Sequence, residues 1–354
     1  MSTADVGSAL AFRPPSSTLV ALALGAGIGA WWLLQRQEQR PWGVWSRSPS
    51  AASLQQAVPA APSTSVHVVP GQPEQQDSKD PACHRLSEQY ARMAQQFADS
   101  GLDTAGIRAM QPLFHSVQEG TPWPKRYDDF PDGPLPPSAV RLVVLPLDGS
   151  PALAAAASAL ARDVRAVLPA TAAVFCNARA NYHVTVFHTS HPSDQRPEPM
   201  SQGGGAPAAG CAAAGPSADT LRAEEVAVAA CCSRAQPPRL VLDRVVMASS
   251  GTLLLVWIDP SGSVDRLRAD LRGAFPGACT KQATIIHSSL LRVLSDDQLS
   301  EEEIRKVTDV CEAWTAKLRG RVSVPLVAWW VTETEFSTVV GGRLQMPLGR
   351  SIGR

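Results

Sequence analysis

From residue 140 onward, short apolar runs alternate with longer amphipathic ones, and the spacing of apolar positions switches between the periods of strand and helix. Residues 140–148 (VRLVVLPLD) predict a strand. Residues 152–168 predict a helix with Leu153, Leu160, Val164 and Val167 on one side. Residues 181–190 (NYHVTVFHTS) are rich in β-branched and aromatic types and predict a second strand. A helix over 221–236 follows, then a hairpin of 239–248 and 252–258 around Ser249, Ser250 and Gly251, a helix over 264–275 and a strand over 284–294. Ser300 with Glu303 is a capping box that opens a helix to about residue 318, and 322–332 and 336–341 predict closing strands. Upstream, residues 81–117 predict two helices, one with Leu86, Tyr90, Met93 and Phe97 on a face, the other with Ile107, Met110, Leu113 and Phe114.

Within this order lies a repeat. A strand, the turn Asp148-Gly149-Ser150-Pro151, an amphipathic helix and a strand bearing His183 are followed by a strand, the turn Asp259-Pro260-Ser261-Gly262, an amphipathic helix and a strand bearing His287. The predicted architecture is α/β (α+β), with duplicated strand-helix-strand lobes around a central cleft.

The rest of the chain divides by composition. Residues 1–17 form a tail, and residues 18–34 (TLVALALGAGIGAWWLL) carry no charge. As a helix this run measures about 25 Å, slightly short of a bilayer core, and reads as a single-pass membrane anchor. Trp31 and Trp32 at its end, with Arg36, Arg40 and Arg47 beyond, favour a body on the cytoplasmic or stromal side; organelle targeting is the alternative. Residues 35–80, rich in Pro, Ser and Ala, predict a disordered linker. A helical segment over 81–120 leads to a body over 138–342, and 343–354 is a second tail. Residues 192–216 hold five Pro and five Gly and predict a disordered insertion within the body.

Charge and cysteine content narrow the chemistry. Lys plus Arg equals 32 and Asp plus Glu equals 32, which excludes a protein that coats duplex nucleic acid by neutralising phosphates along it. The seven cysteines include no C-x-x-C pair, so reduced thiols are expected rather than a disulfide scaffold.

Two short motifs carry the candidate chemistry. In His183-Val184-Thr185 and His287-Ser288-Ser289, histidine and hydroxyl stand two apart and so share a face of a strand. If the repeat brings the two faces together, one cleft holds two imidazoles and two hydroxyls. That set suits a phosphodiester: a neutral imidazole takes a proton from the attacking water or ribose hydroxyl, an imidazolium gives one to the departing oxygen, and Thr185 and Ser289 donate to the phosphoryl oxygens. No metal or other cofactor is required. A zinc site of His183, His188 and His191 is disfavoured, since residues five apart on a regular strand face opposite sides. The same offset turns Arg292 away from His287. Tyr182 and Phe187, the latter on the His183 face, are the candidates for stacking on a base.

Two His-x-[Ser/Thr] motifs on apolar strands of a duplicated α/β body resemble the two-histidine (2H) phosphoesterase superfamily, which includes cyclic phosphodiesterases and the bacterial 2′,3′-RNA-ligase type. The resemblance covers residues 140–341 and implies catalytic roles for His183, Thr185, His287 and Ser289. It further implies an enzyme that hydrolyses 2′,3′-cyclic or related nucleotide and RNA-end phosphodiesters. The insertion stretches the motif separation to 104 residues. A tethered module that binds a nucleotide or RNA end without turnover is the alternative.

Overall fold

The computed structural model of the protein describes residues 80–119, 121–206 and 214–349. The expected N-terminal tail, membrane anchor and nearly all of the linker lie outside the described residues, as does the far end of the C-terminal tail. Among the described residues no helix is long and apolar enough to cross a membrane.

The body is mixed α and β. Two antiparallel sheets form, one of order β11-β10-β3-β5 and the other of order β4-β8-β7-β6-β9. The first contains β3 (Val140–Pro146), β5 (His183–Ser190), β10 (Val327–Glu333) and β11 (Gly341–Pro347). The second contains β4 (Val174–Cys176), β6 (Leu240–Met247), β7 (Thr252–Ile258), β8 (His287–Val293) and β9 (Val322–Ser323). A short ribbon, β1 (Phe114–His115) with β2 (Trp123–Pro124), lies upstream. Among the described residues six α-helices accompany them: α1 (Pro81–Ser100), α2 (Thr104–Met110), α3 (Pro151–Val167), α4 (Ala218–Arg234), α5 (Ser263–Ala274) and α6 (Glu301–Leu318).

The repeat is realised as two equivalent units. β3 and β5, joined through α3, are antiparallel neighbours; so are β7 and β8, joined through α5. Each helix turns its apolar stripe to a common core that takes in Leu153, Leu160 and Val164 from α3 and Val264, Leu267 and Leu271 from α5. Every residue of β3 is buried, because that strand is covered on both faces. Arg141 on β3 is fully buried, and its guanidinium pairs with Glu224 of α4 at 2.8 Å. The Ser300–Glu303 capping box forms, with both reciprocal hydrogen bonds present.

Several expectations are corrected. β4 is too short to stand out in the sequence; it leaves the first unit to pair with β8 of the second. The strand expected over 322–332 is two strands in different sheets, divided at Pro325, whose nitrogen cannot donate to a ladder. The last strand lies at Gly341–Pro347, not 336–341, so residues 343–347 belong to the sheet rather than to a tail. The reason is Glu333, whose carboxylate accepts from the amides of Thr338 (2.9 Å) and Val339 (2.7 Å) and turns the chain before it can extend.

Residues 192–206 of the expected disordered insertion form turns fastened to the body. Ser190 Oγ accepts from the Arg196 amide at 2.9 Å, and the Asp194 carboxylate accepts from the Thr280 amide at 2.7 Å. Residues 207–213 lie outside the described set. The 81–120 segment is part of the body: Tyr90 is buried, and its hydroxyl donates to the Trp257 carbonyl at 2.8 Å and accepts from the Ile286 amide at 3.2 Å. α1 therefore covers β6 and β7 on the face opposite the main core, with Tyr90 among Val246, Leu254, Val256 and Ile285.

Candidate active site

β5 and β8 approach one another, and each carries one motif on its partly open face. His183 and Thr185 are half-buried while Val184 between them is in the core; His287 and Ser289 are half-buried while Ser288 is in the core. Thr185 and Ser289 side-chain hydroxyls make no hydrogen bond among the described residues. The two imidazoles are close enough that a charge on His183 depresses protonation of His287. Neither is paired with a carboxylate among the described residues.

Beyond each motif the alternation breaks at the same place. On β5, Thr185 lies opposite Val144 and Phe187 opposite Val143, so two residues advance against one and Val186 is the extra residue of a β-bulge. On β8, Ser289 lies opposite Leu254 and Leu291 opposite Leu253, so Leu290 is the extra residue. One inserted residue reverses the facing of all that follow it. His188 thus shares the face of His183, and Arg292 shares the face of His287, contrary to the expectation for regular strands. The sequence holds the signal: the apolar doublets Val186-Phe187 and Leu290-Leu291 interrupt strict alternation at equivalent positions.

The bulge also overturns the stacking assignment. Phe187 is 2 % exposed and faces the core, with its ring 6.2 Å from that of Phe275. Tyr182, also 2 % exposed, belongs to the main core, and neither ring is open to a base. The ground on which a zinc site was set aside fails for His183 and His188, which share a face. Even so, no group of three or more His, Cys, Asp or Glu among the described residues is arranged to hold a metal ion.

Cations surround the pair. The Arg292 guanidinium is held by Ser337 Oγ at 2.9 Å and Thr252 Oγ1 at 3.3 Å and has no carboxylate within ion-pair reach among the described residues; burial pushes its pKa down to about 10, with Glu333 opposing. Arg343 on β11 donates to Asn181 Oδ1 at 2.8 Å. Arg268 on α5 bridges the two units, donating to the Val186 carbonyl at 3.2 Å and the Ile285 carbonyl at 3.0 Å. The Val186 carbonyl is that of the bulge residue, which the ladder leaves out.

These surroundings hold both imidazoles neutral. The pKa of His183 is lowered to about 4, first by burial, then by Arg343 and Arg292, with the Asn181 carbonyl opposing. That of His287 is lowered to about 4, first by burial, then by His183, Arg292 and Arg268, with the Ile285 carbonyl opposing. His188 is lowered to about 4 by burial, His183 and Lys281.

The two motifs differ in one respect. His183 Nδ1 lies 2.7 Å from the Asn181 carbonyl. A carbonyl only accepts, so the proton sits on Nδ1 and the lone pair is on Nε2. The equivalent carbonyl, that of Ile285, accepts from Arg268 at 3.0 Å; it also favours the charged form of His287, but His287 Nδ1 is buried without a hydrogen bond of ordinary geometry among the described residues.

No known protein-family pattern and no curated protein matches the sequence. Among solved structures, the chain is similar to Usb1 of Kluyveromyces marxianus and to the same protein with uridine monophosphate. In each case identity is 9%, 60% of this chain and 99% of that chain are covered, and the TM-score is 0.35. A likeness of that score decides nothing about activity. The chain resembles the two-histidine phosphoesterase superfamily in its paired motifs.

Proposed function

We propose that the protein is a metal-independent phosphodiesterase acting on 2′,3′-cyclic or related nucleotide and RNA-end phosphodiesters. The observation that carries this reading is the duplicated strand, bulged at the third residue after the histidine in both units. His183, Thr185 and His188 share a face of one strand and His287, Ser289 and Arg292 a face of the other, the imidazoles and Arg292 are electrostatically coupled, and among the described residues neither motif histidine has a carboxylate within ion-pair reach. Such a set attracts an anion and can move two protons about it.

In the proposed reaction, water attacks phosphorus and its proton passes to His183 Nε2, the atom on which the Asn181 contact leaves the lone pair. The bond from phosphorus to one ribose oxygen breaks, and that oxygen takes a proton from His287 in its charged form. Thr185 and Ser289 donate to the non-bridging oxygens, and Arg292 balances their charge.

The test is hydrolysis of 2′,3′-cyclic nucleotides and cyclic-phosphate-ended RNA by the full chain with a chelator present. Replacing His183 or His287 by Ala is expected to reduce kcat at least about 10²-fold. Unchanged rates in either variant sink the reading. Calorimetric binding without product, in the unsubstituted chain, would instead favour a module that recognises the same ligand.

A further inference from the structure

Arg343 lies outside both motifs, yet three contacts fix its guanidinium. It stacks over the Trp329 ring at 4.7 Å, donates through Nε to the Val339 carbonyl at 2.8 Å, and donates through Nη2 to Asn181 Oδ1 at 2.8 Å. Asn181 is the residue whose main-chain carbonyl holds His183 Nδ1 at 2.7 Å. One residue thus receives the arginine on its side chain and the imidazole on its backbone.

The other anchor is a strained turn. Val339 has φ 58° and Ser337 has φ 56°, the left-handed region that a β-branched residue such as Val339 seldom enters. Glu333 holds this turn by accepting from the Val339 and Thr338 amides, and the Tyr127 hydroxyl binds the same carboxylate. Ser337 in turn receives Arg292 of the other unit. The turn between β10 and β11 therefore sets both arginines near the paired motifs, Arg292 directly beside His287 and Arg343 one residue removed from His183.

We infer that Arg343 is a positioning residue: through Asn181 it fixes the orientation and tautomer of His183, and the Glu333-held turn is the frame it acts from. The inference rests on the phosphodiesterase reading for its kinetic consequence, but not for its spectroscopic one. Bidentate geometry is essential to the role, because only a guanidinium reaches the Val339 carbonyl and the Asn181 amide oxygen together. The charged and titratable groups that bear on His183 are Arg343 from β11, Arg292 and His287 from β8, and His188 from its own strand; Asp148 and Glu333 bear on Arg343.

The experiment compares Arg343→Gln, Arg343→Lys and Asn181→Ala in the full chain, using the proton spectrum of His183 and steady-state kinetics. In R343Q the His183 titration midpoint is expected to rise by about half a pH unit, since one of two neighbouring cations is gone. In R343K the midpoint stays low while the His183 Nδ1–H signal exchanges faster. All three variants are expected to lose about tenfold in kcat with KM changed less than about twofold. A rise in KM at unchanged kcat would make Arg343 a substrate ligand and overturn the inference. So would an unmoved His183 midpoint and Nδ1–H signal in a folded R343Q. Absence of turnover in the unsubstituted chain would defeat the phosphodiesterase reading alone, since the spectra still decide the role of Arg343.

Discussion

An anion placed beside the two imidazoles must change their protonation, and the size of the change follows from their surroundings. With pKa values lowered to about 4, only about one molecule in a thousand carries a proton on either ring at pH 7. An acid at neutral pH needs a value near 7, a difference of about 4 kcal/mol at 1.36 kcal/mol per unit. One negative charge about 4 Å from an imidazolium supplies about 4 kcal/mol at an effective dielectric near 20, so a single phosphodiester is sufficient. The sign follows from linkage: the complex binds a proton that the empty protein does not, so affinity for the anion rises as pH falls from about 7 to about 4 and levels off below. The measurement is calorimetric titration with a 2′-deoxy dinucleoside monophosphate, whose single charge does not titrate in this range. Repeating it in two buffers of different ionisation enthalpy counts protons. Uptake approaching one proton near pH 6 is expected. Affinity that stays flat from pH 7 to pH 5, without a buffer-dependent heat, refutes the electrostatic account of the paired motifs.

Two further outcomes follow from buried charges. Arg292→Gln removes a charge-assisted contact to phosphate and is expected to weaken binding of the same diester by about 10- to 100-fold, about 1.5–3 kcal/mol, while thermal stability falls by no more than the loss of its Ser337 and Thr252 hydrogen bonds allows, since no ion pair among the described residues is broken; strong destabilisation would show Arg292 to be structural. Glu224→Ala strands Arg141, both side chains being 0 % exposed, and is expected to cost about 3–5 kcal/mol in denaturant unfolding, most of it recovered in an Arg141→Met, Glu224→Leu double variant.

Much of the body was readable in the sequence because its signals are local. The capping box at Ser300 and Glu303, the Ser249-Ser250-Gly251 hairpin and the alternation of strands and helices depend on residues a few positions apart. What escaped reading depends on distant partners. β4 has three residues and no periodicity of its own; its place is given by β8. Tyr90 is a plain apolar helix position until the Trp257 carbonyl meets its hydroxyl. The turn at Ser337 and Val339 resembles strand sequence, and it is Glu333 that bends it. Tyr182 and Phe187 were placed by type and by ideal alternation, and packing against the core overrode both.

The bulges show why such a site is harder to read than its motifs. His-x-[Ser/Thr] is legible at a spacing of two, yet the further polar group on each face, His188 or Arg292, stands at a spacing of five, which alternation assigns to the wrong side. A regular β8 would send the Arg292 guanidinium into the core beside Ser288 and Leu290, an arrangement that leaves a cation buried beside an apolar core residue. The doublet Leu290-Leu291 relieves that conflict by supplying two consecutive core residues, and Val186-Phe187 does the same ahead of His188. In both halves, then, apolar pattern and polar chemistry are compatible only with the bulged register. A doubled apolar residue after such a motif is therefore a readable sign that the fifth residue, and not the fourth or sixth, joins the histidine.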